Sequence, residues 1–384
     1  LVCGLRQILS NGQSSRSLVF TAGGIGLMCL SLVLVRAAVL IEGWKVFTAE
    51  NAHKLHMVLP WNDPDVPWVA VFIGGLWIPN IFYWGCNQFI TQRTLGAKSL
   101  AEGQKGIVLA AAIKLCIPFI IVIPGIMALH LYGDQIRALG GNVGDKAYPY
   151  LISQILTPQL RGVMFAALLG AVMSTFNSGL NSASTIFTID IYRKYINKTI
   201  TPKQEVTVGR IATAVIVVVA CLWAPIVGRA KGVFKYIQEI WGFISPGIVT
   251  AFLVGLAIRK APAVAARAAL LLGPVLYAFC RVPGWVWNYY YTRKYPEAAE
   301  ILPPEGFWGA PALIYKFSTW AFLHHMGLIF LVLSAMMVII TVFKPLNEPV
   351  VMPTSELDTS VHPRTYVYGG LIIALTAVLY IIFW

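Results

Sequence analysis

Charged residues are scarce in this chain of 384 residues. Asp, Glu, Lys and Arg together make up 12% of it, whereas soluble domains carry about 25%. Acidic residues are especially few, at 16 against 29 Lys and Arg, and 58% of all residues are hydrophobic. A water-exposed surface cannot be built from this composition, so the chain is predicted to lie in a lipid bilayer.

The sequence also has no arrangement typical of a metal site or a catalytic centre. None of the six cysteines forms a Cys-x-x-Cys pair, and most lie in apolar runs, as small packing residues do. The six histidines are scattered, and the adjacent His324 and His325 would point in different directions on a helix. We therefore expect no catalytic residues, no cofactor and no enzymatic activity.

Long apolar runs are the main feature that the chain does have. They are long enough to span a membrane as helices at 17–41, 69–90, 107–132, 163–189, 210–227, 233–258, 264–288, 319–343 and 366–384. Pro274, Arg281 and Pro283 interrupt the run at 264–288. Strands of a membrane barrel would give alternating segments of about 10 residues instead. The pattern predicts an all-α, multi-pass protein of the cell membrane.

The net charge of +13 comes largely from Lys and Arg in the segments between these runs. Basic residues cluster in 91–106, 190–210 and 258–267, as they do in cytoplasmic loops of membrane proteins. A basic chain could bind nucleic acid, but this distribution favours orientation of helices in the bilayer. We expect no nucleic-acid partner, and the sequence does not define an oligomeric state.

The run at 69–90 is an unusual membrane span. It reads VAVFIGGLWIPNIFYWGCNQFI, with a Gly-Gly pair, Pro79 and Asn80 in its middle. These residues predict a broken helix, which is tolerated at membrane depth only where the freed backbone lines a cavity or is buried in protein. In secondary transporters, broken helices form the sites for substrate and coupling ion. This segment therefore favours a transporter.

Ionisable and amide side chains at membrane depth are candidates for a functional site, because burying them in lipid is costly. Lys114 lies inside one apolar run, although its long stem could also reach the interface. Gln238 and Glu239 lie near the start of another run, where loop water could equally hydrate them. Each residue thus has both a functional and a structural interpretation.

The run at 163–189 is rich in hydroxyl and amide groups. They belong to Ser174, Thr175, Asn177, Ser178, Asn181, Ser182, Ser184 and Thr185. Small polar residues let membrane helices pack closely, which is one interpretation. The other is a Na⁺ site, because hard cations prefer oxygen ligands and Ser174 and Thr175 follow Ala171 by one turn.

Four segments, in order along the chain, resemble the signatures of one family of membrane transporters. They are WIPNIFYWGCNQFITQRTLGAKSLAEGQKGI, AAIKLCIPFIIVIPGI, NSASTIFTIDIY and FKYIQEIWGFISPGI. They are similar to the sodium:solute symporter family, also called the sodium/glucose cotransporter family, and most of all to its bacterial sodium/galactose branch. The resemblance implies a LeuT-like fold built from two inverted five-helix repeats.

The resemblance also implies how the chain is organised. We expect one membrane domain over 1–384, in which 17–41 is the last helix of the first repeat and 69–258 is the second repeat. Helices in 264–384 would be peripheral. About five N-terminal helices of the fold would be absent. The chain is thus expected to be an N-terminally truncated fragment that does not transport by itself.

Several site residues of the family fall on residues of this chain. The resemblance implies that Asn80, Lys114 and Gln238 contact the substrate. Tyr83 would form the inner gate and Phe234 the outer gate. Amide and ammonium groups suit the hydroxyls of a sugar, and an aromatic face suits its ring.

The resemblance further implies a half-site for Na⁺ at Ala171, Ser174 and Thr175, with Na⁺ as coupling ion rather than cofactor. The implied function is Na⁺-coupled symport of a monosaccharide, galactose or glucose, by alternating access. Two alternatives remain open at this point. One is a Na⁺ symporter of another small solute, such as inositol or an anion, and the other is a sugar sensor that does not transport.

Overall fold

A computed structural model of the chain describes residues 33, 36–39, 41, 43–228, 232–296, 301–304, 310–351 and 363–384. Every regular element in these ranges is helical. Seven helical segments are long and apolar enough to cross a membrane: Leu100–Ala138, Pro158–Ile196, Pro202–Gly228, Val233–Ala257, Ala263–Lys294, Phe322–Phe343 and Pro363–Ile382. The predicted all-α polytopic fold class is confirmed. Most of the predicted span at 17–41 lies outside the described residues.

The α-helices are numbered in chain order. They are α1 Trp44–Glu50, α2 Trp77–Ile81, α3 Gln88–Leu95, α4 Leu100–Lys114, α5 Ile123–Ala138, α6 Val143–Ile155, α7 Pro158–Ile186, α8 Pro202–Gly228, α9 Val233–Ala257, α10 Ala263–Lys294, α11 Ala310–Ser318, α12 Phe322–Phe343 and α13 Pro363–Ile382. Wider π-helical turns lie at Ala70–Gly74, Phe82–Cys86, Pro118–Val122 and Phe187–Ile196, and a short 3₁₀ turn lies at Ala52–Lys54. Such turns often mark functional positions in helices.

The described helices form two compact units, each drawn from separate parts of the chain. The first unit comprises the described residues within Leu1–His56, Gln104–Val233 and His362–Leu379, and the second comprises those within Met57–Gly103, Phe234–Val361 and Tyr380–Trp384. The predicted division into repeats and peripheral helices remains a prediction. It concerns which helices are related by an internal repeat, whereas the two units are defined by contacts between residues.

The core of the first unit lies between α5 and α6. Met127 and Ile136 of α5 and Leu151 of α6 are fully buried there. The Asn142 side chain accepts a hydrogen bond of 3.0 Å from Gly144 N and so caps the start of α6. Helix α7 packs along α8 in the same unit.

The helical segment that contains Lys114 is distorted. Helix α4 ends at Lys114, and the wider turn Pro118–Val122 leads from there into α5. Pro118 has no N–H group, so it cannot bond to the Lys114 carbonyl four residues before it. The proline therefore accounts for the end of the regular helix at Lys114.

The core of the second unit is formed by α10 and α12. Tyr277 of α10 and Leu323, Met326 and Leu333 of α12 are buried in it. Helix α10 is continuous from Ala263 to Lys294, so Pro274 and Pro283, which interrupt the apolar run in the sequence, do not end the helix. Packing of α10 against α11 and α12 outweighs the hydrogen bonds that the prolines remove.

Candidate functional site

The predicted break in 69–90 is present, and it lies at Gly75. The π-helical turn Ala70–Gly74 ends there, Gly75 has φ −134° and ψ −4°, and α2 begins at Trp77. Gly75 N donates a hydrogen bond of 2.9 Å to Ala70 O. Its bare backbone packs against α12, because a β-carbon at Gly75 would lie only 2.9 Å from Gly327 N. The freed backbone is thus buried in protein, as membrane depth requires.

Asn80 lies just beyond this break, on α2. Its Nδ2 donates a hydrogen bond of 2.9 Å to Leu76 O, and the side chain is exposed. The preceding residue, Pro79, is buried, and because consecutive side chains on a helix point in different directions, Asn80 lies outside this packed face. The break therefore places a carboxamide on the open side of the segment.

Tyr83 follows on the wider turn Phe82–Cys86. Its ring centroid is 5.0 Å from that of Trp241 on α9 and 5.4 Å from that of Phe89. Trp241 follows Gln238 by one helical turn. The broken segment and α9 therefore meet at an aromatic contact next to Gln238.

Gln238 is buried, with 7% of its surface exposed. Its Oε1 has no hydrogen-bond partner among the described residues. A buried polar atom without a partner is costly, and a ligand that donates an O–H group would satisfy it. Phe234 lies one turn earlier on α9 and is 72% exposed. Its role as a gate remains a prediction.

Lys114 lies in the first unit, whereas Asn80, Tyr83, Phe234 and Gln238 lie in the second. The structure thus brings the broken segment and the Gln238 helix together through Tyr83 and Trp241. That Lys114, like Asn80 and Gln238, contacts the substrate remains a prediction.

The three predicted Na⁺ ligands lie on one face of α7, in the first unit. Thr175 Oγ1 donates to Ala171 O at 3.2 Å. Oxygen ligands at right angles around a cation, each about 2.4 Å from it, are separated by about 3.4 Å. The two oxygens are close to that spacing, but Thr185 Oγ1 and Asn181 O form the same kind of contact, so the Na⁺ half-site remains a prediction. The Ser174 carbonyl accepts from Ser178 Oγ at 3.0 Å.

One polar contact in the second unit was missed by the sequence-based interpretation. Arg281 Nη2 of α10 donates to Glu239 Oε1 of α9 at 2.5 Å, and the two side chains are only 9% and 14% exposed. From the sequence alone, Glu239 had two interpretations: a functional role, or a side chain hydrated by loop water. Opposite charges within two long apolar runs were the available signal, because ionised residues at membrane depth pair with one another.

These features define a multi-pass helical membrane protein with the broken-helix geometry of secondary transporters. The chain belongs to the sodium:solute symporter family, whose model matches residues 18–273. This membership confirms the resemblance stated from the sequence motifs. Together with the seven segments among the described residues that are long and apolar enough to span a membrane, it places the protein in the cell membrane.

Comparison with known proteins gives relatives with different named solutes. The chain is 45% identical over 238 residues to a sodium/glucose cotransporter of Vibrio parahaemolyticus, and 38% identical over 278 residues to the uncharacterized symporter YidK of Escherichia coli. It is 34% identical over 231 residues to sodium/myo-inositol cotransporter 2 of Sus scrofa. These matches cover 57%, 72% and 56% of this chain, but only 44%, 47% and 34% of the relatives. The chain thus spans less than half the length of these relatives.

Proposed function

We propose that the protein is a Na⁺-coupled symporter of a hexose, galactose or glucose, that works by alternating access. Family membership and the likeness to a sodium/glucose cotransporter support Na⁺ coupling and a sugar as solute. The observation that carries the proposal is the buried, unpartnered Oε1 of Gln238 beside the contact of Tyr83 with Trp241.

The proposed site recognises a sugar through its hydroxyl groups and its ring. Carboxamides such as those of Asn80 and Gln238 can both donate to and accept from hydroxyls. The Lys114 ammonium would add a donor. The Tyr83 ring would close the pocket from the inner side while its face contacts the sugar ring. Binding sites for small molecules commonly combine an apolar lining with a few polar groups in this way.

Coupling in this proposal requires that Na⁺ and solute stabilise the same conformation. Na⁺ would bind at Ala171, Ser174 and Thr175 together with ligands from elsewhere in the protein. Each bound species then raises the affinity for the other by the same factor. Rocking of the helices around the occupied site would carry both across the membrane.

A second candidate solute is myo-inositol, because mammalian sodium/myo-inositol cotransporters are 34–36% identical to the chain. A cyclic polyol presents hydroxyls on a saturated ring, as a hexose does, so the same carboxamides could bind it. The two candidates differ in the ring oxygen and in the arrangement of hydroxyls. Only a comparison of solutes can separate them.

The proposal is tested by uptake of labelled galactose, glucose and myo-inositol into cells that express the complete reading frame. We expect hexose uptake in Na⁺ buffer and none above background when choline replaces Na⁺. Excess unlabelled hexose should compete more strongly than myo-inositol. Equal uptake in the two buffers would refute Na⁺ coupling, and preferential uptake of myo-inositol would make it the solute. Binding without flux would indicate a sensor.

A further inference from the structure

The side chain of Arg281 lies buried among three elements of the second unit. Its Nη1 donates to Ser318 O at 2.7 Å and to Trp320 O at 3.0 Å, where α11 ends. Its Nη2 donates to Glu239 Oε1 at 2.5 Å. The guanidinium also lies 5.8 Å from the Trp285 ring on its own helix. Arg281 therefore connects α9 to α10 and to the end of α11.

Burying these two charged groups in a membrane protein costs free energy. Both charged groups lose their hydration, and their attraction offsets that loss only when the geometry is good and the remaining donors are bonded. The two terminal nitrogens of Arg281 meet this condition through the carboxylate and two carbonyls, whereas its buried Nε has no hydrogen-bond partner among the described residues. Carbonyls at a helix C-terminus carry partial negative charge, so they add to the stabilisation. A pair of apolar residues could pack there at lower cost, which raises the question of what the charges do.

The position of the pair on α9 suggests an answer. Glu239 is the residue directly after Gln238, so a contact that fixes Glu239 also fixes the rotation of α9 about its axis. One turn further on, Gly242 packs so closely against Tyr277 that a β-carbon there would overlap the ring. The Gly242 contact holds the two helices close together, but a glycine offers no side chain to set their rotation. The ring of Phe243 contacts Tyr277 with the centroids 4.8 Å apart, and the bond between Glu239 and Arg281 adds a charged, directional contact at this level.

We propose that Arg281 and Glu239 are positioning residues that set the orientation of the Gln238 carboxamide toward the bound solute. This inference rests on the proposed function. Gln238 Oε1 is buried without a partner among the described residues, so no hydrogen bond of its own holds it in place. A small rotation of α9 would move its carboxamide relative to solute hydroxyls. Loss of the pair is therefore expected to weaken solute binding more than the later steps of transport.

The test compares single and double variants of the complete protein in Na⁺-dependent uptake and thermal unfolding. The singles are Glu239→Gln, which keeps the shape but removes the charge, and Arg281→Lys, which keeps the charge but loses the forked donors. The double variant is Glu239→Leu with Arg281→Leu. Removing one partner leaves a buried charge, whereas replacing both is often neutral for stability. The double variant therefore remains measurable even where a single variant does not fold.

We expect the double variant to unfold near the wild-type temperature and yet to have a KM for solute raised about tenfold, the lower end of what loss of supporting contacts costs at metal sites. Its maximal rate should change much less than its KM. If the double variant has both the KM and the unfolding temperature of the wild type, the pair serves stability alone and the inference fails. An unchanged KM in every folded variant would also overturn the inference.

The matched control is Lys235→Gln, on α9 one turn before Glu239. Lys235 forms an ion pair with Asp65, but these side chains are 42% and 52% exposed. Exposed ion pairs contribute little to stability, so the KM of the Lys235→Gln variant should change by less than about twofold.

The wild-type protein separates failure of the proposed function from failure of this inference. If wild type lacks Na⁺-dependent uptake of every solute tested, the proposed function fails and the inference with it. If wild type transports while the variants keep its KM, only the inference fails.

Discussion

Gln238 combines two properties at the scale of a single residue: a polar side chain and a buried environment that leaves its oxygen unpaired among the described residues. Such a group lowers stability in the absence of ligand, by about 1–3 kcal/mol. Residues of this kind are typical of sites where function is favoured at the expense of stability.

Substitution Gln238→Leu should therefore separate activity from stability. We expect Na⁺-dependent uptake to fall below a tenth of wild type, while the unfolding temperature in detergent stays equal or rises. Gln92→Leu is the matched control on α3, where Gln92 Nε2 donates to Phe89 O. This variant should keep wild-type uptake. Retained uptake in Gln238→Leu would remove Gln238 from the site.

The hydroxyl of Thr175 is proposed to bind Na⁺. Thr175→Val removes the hydroxyl but keeps the shape, so it should raise the Na⁺ concentration for half-maximal uptake about tenfold, whereas Thr175→Ser should raise it much less. Thr185→Val is the matched control, because Thr185 Oγ1 donates to Asn181 O at 2.7 Å in the same i to i−4 geometry. If Thr175→Val and Thr185→Val have the same Na⁺ dependence, Thr175 is not a ligand.

At the scale of elements, the break at Gly75 depends on its contact with α12. A β-carbon at Gly75 would lie 2.9 Å from both Gly327 N and Met326 Cβ. Gly75→Ala should therefore destabilise the protein by about 1–3 kcal/mol, measured as a lower unfolding temperature in detergent. Gly85→Ala, in the same segment, meets nothing within 4 Å and should leave that temperature unchanged. Equal temperatures for both variants would contradict this packing.

The sequence predicts elements well where their composition is uniform. The run at 210–227 became α8, Pro202–Gly228, and the run at 319–343 became α12, Phe322–Phe343. The break in 69–90 was also predictable, because glycine and proline disturb helices by local chemistry. The continuity of α10 through Pro274 and Pro283 was not predictable, since it depends on packing against α11 and α12.

The pairing of Arg281 with Glu239 escaped the sequence for a related reason. The partners are 42 residues apart, and their contact depends on how two helices lie against each other. A sequence indicates that each charge needs a partner at membrane depth, but not which one it has. The site roles of Asn80, Tyr83 and Gln238 came from motif resemblance, which reflects the three-dimensional arrangement of relatives, although the polar residues Asn80 and Gln238 were already evident within apolar runs.

At the scale of the whole molecule, the proposal predicts reciprocal effects of Na⁺ and solute. Raising Na⁺ should lower the solute concentration needed for half-saturation of binding. Saturating solute should lower the Na⁺ requirement by the same factor, about 5- to 150-fold in typical coupled systems. Equilibrium binding of labelled hexose to the complete protein, with choline replacing Na⁺ as control, checks this. Hexose binding that is independent of Na⁺ would contradict the coupling.

The contact of Gly75 with Gly327 restricts how relatives of this protein can diverge. A β-carbon at Gly327 would lie 2.6 Å from Gly74 O, so both sides of the joint are closed to larger residues. Neither glycine can be replaced alone by a larger residue without pushing the two segments apart. Lineages that lose one of these glycines should carry a compensating change on the opposite segment, and alignments of the family would then record the joint as a pair of linked substitutions.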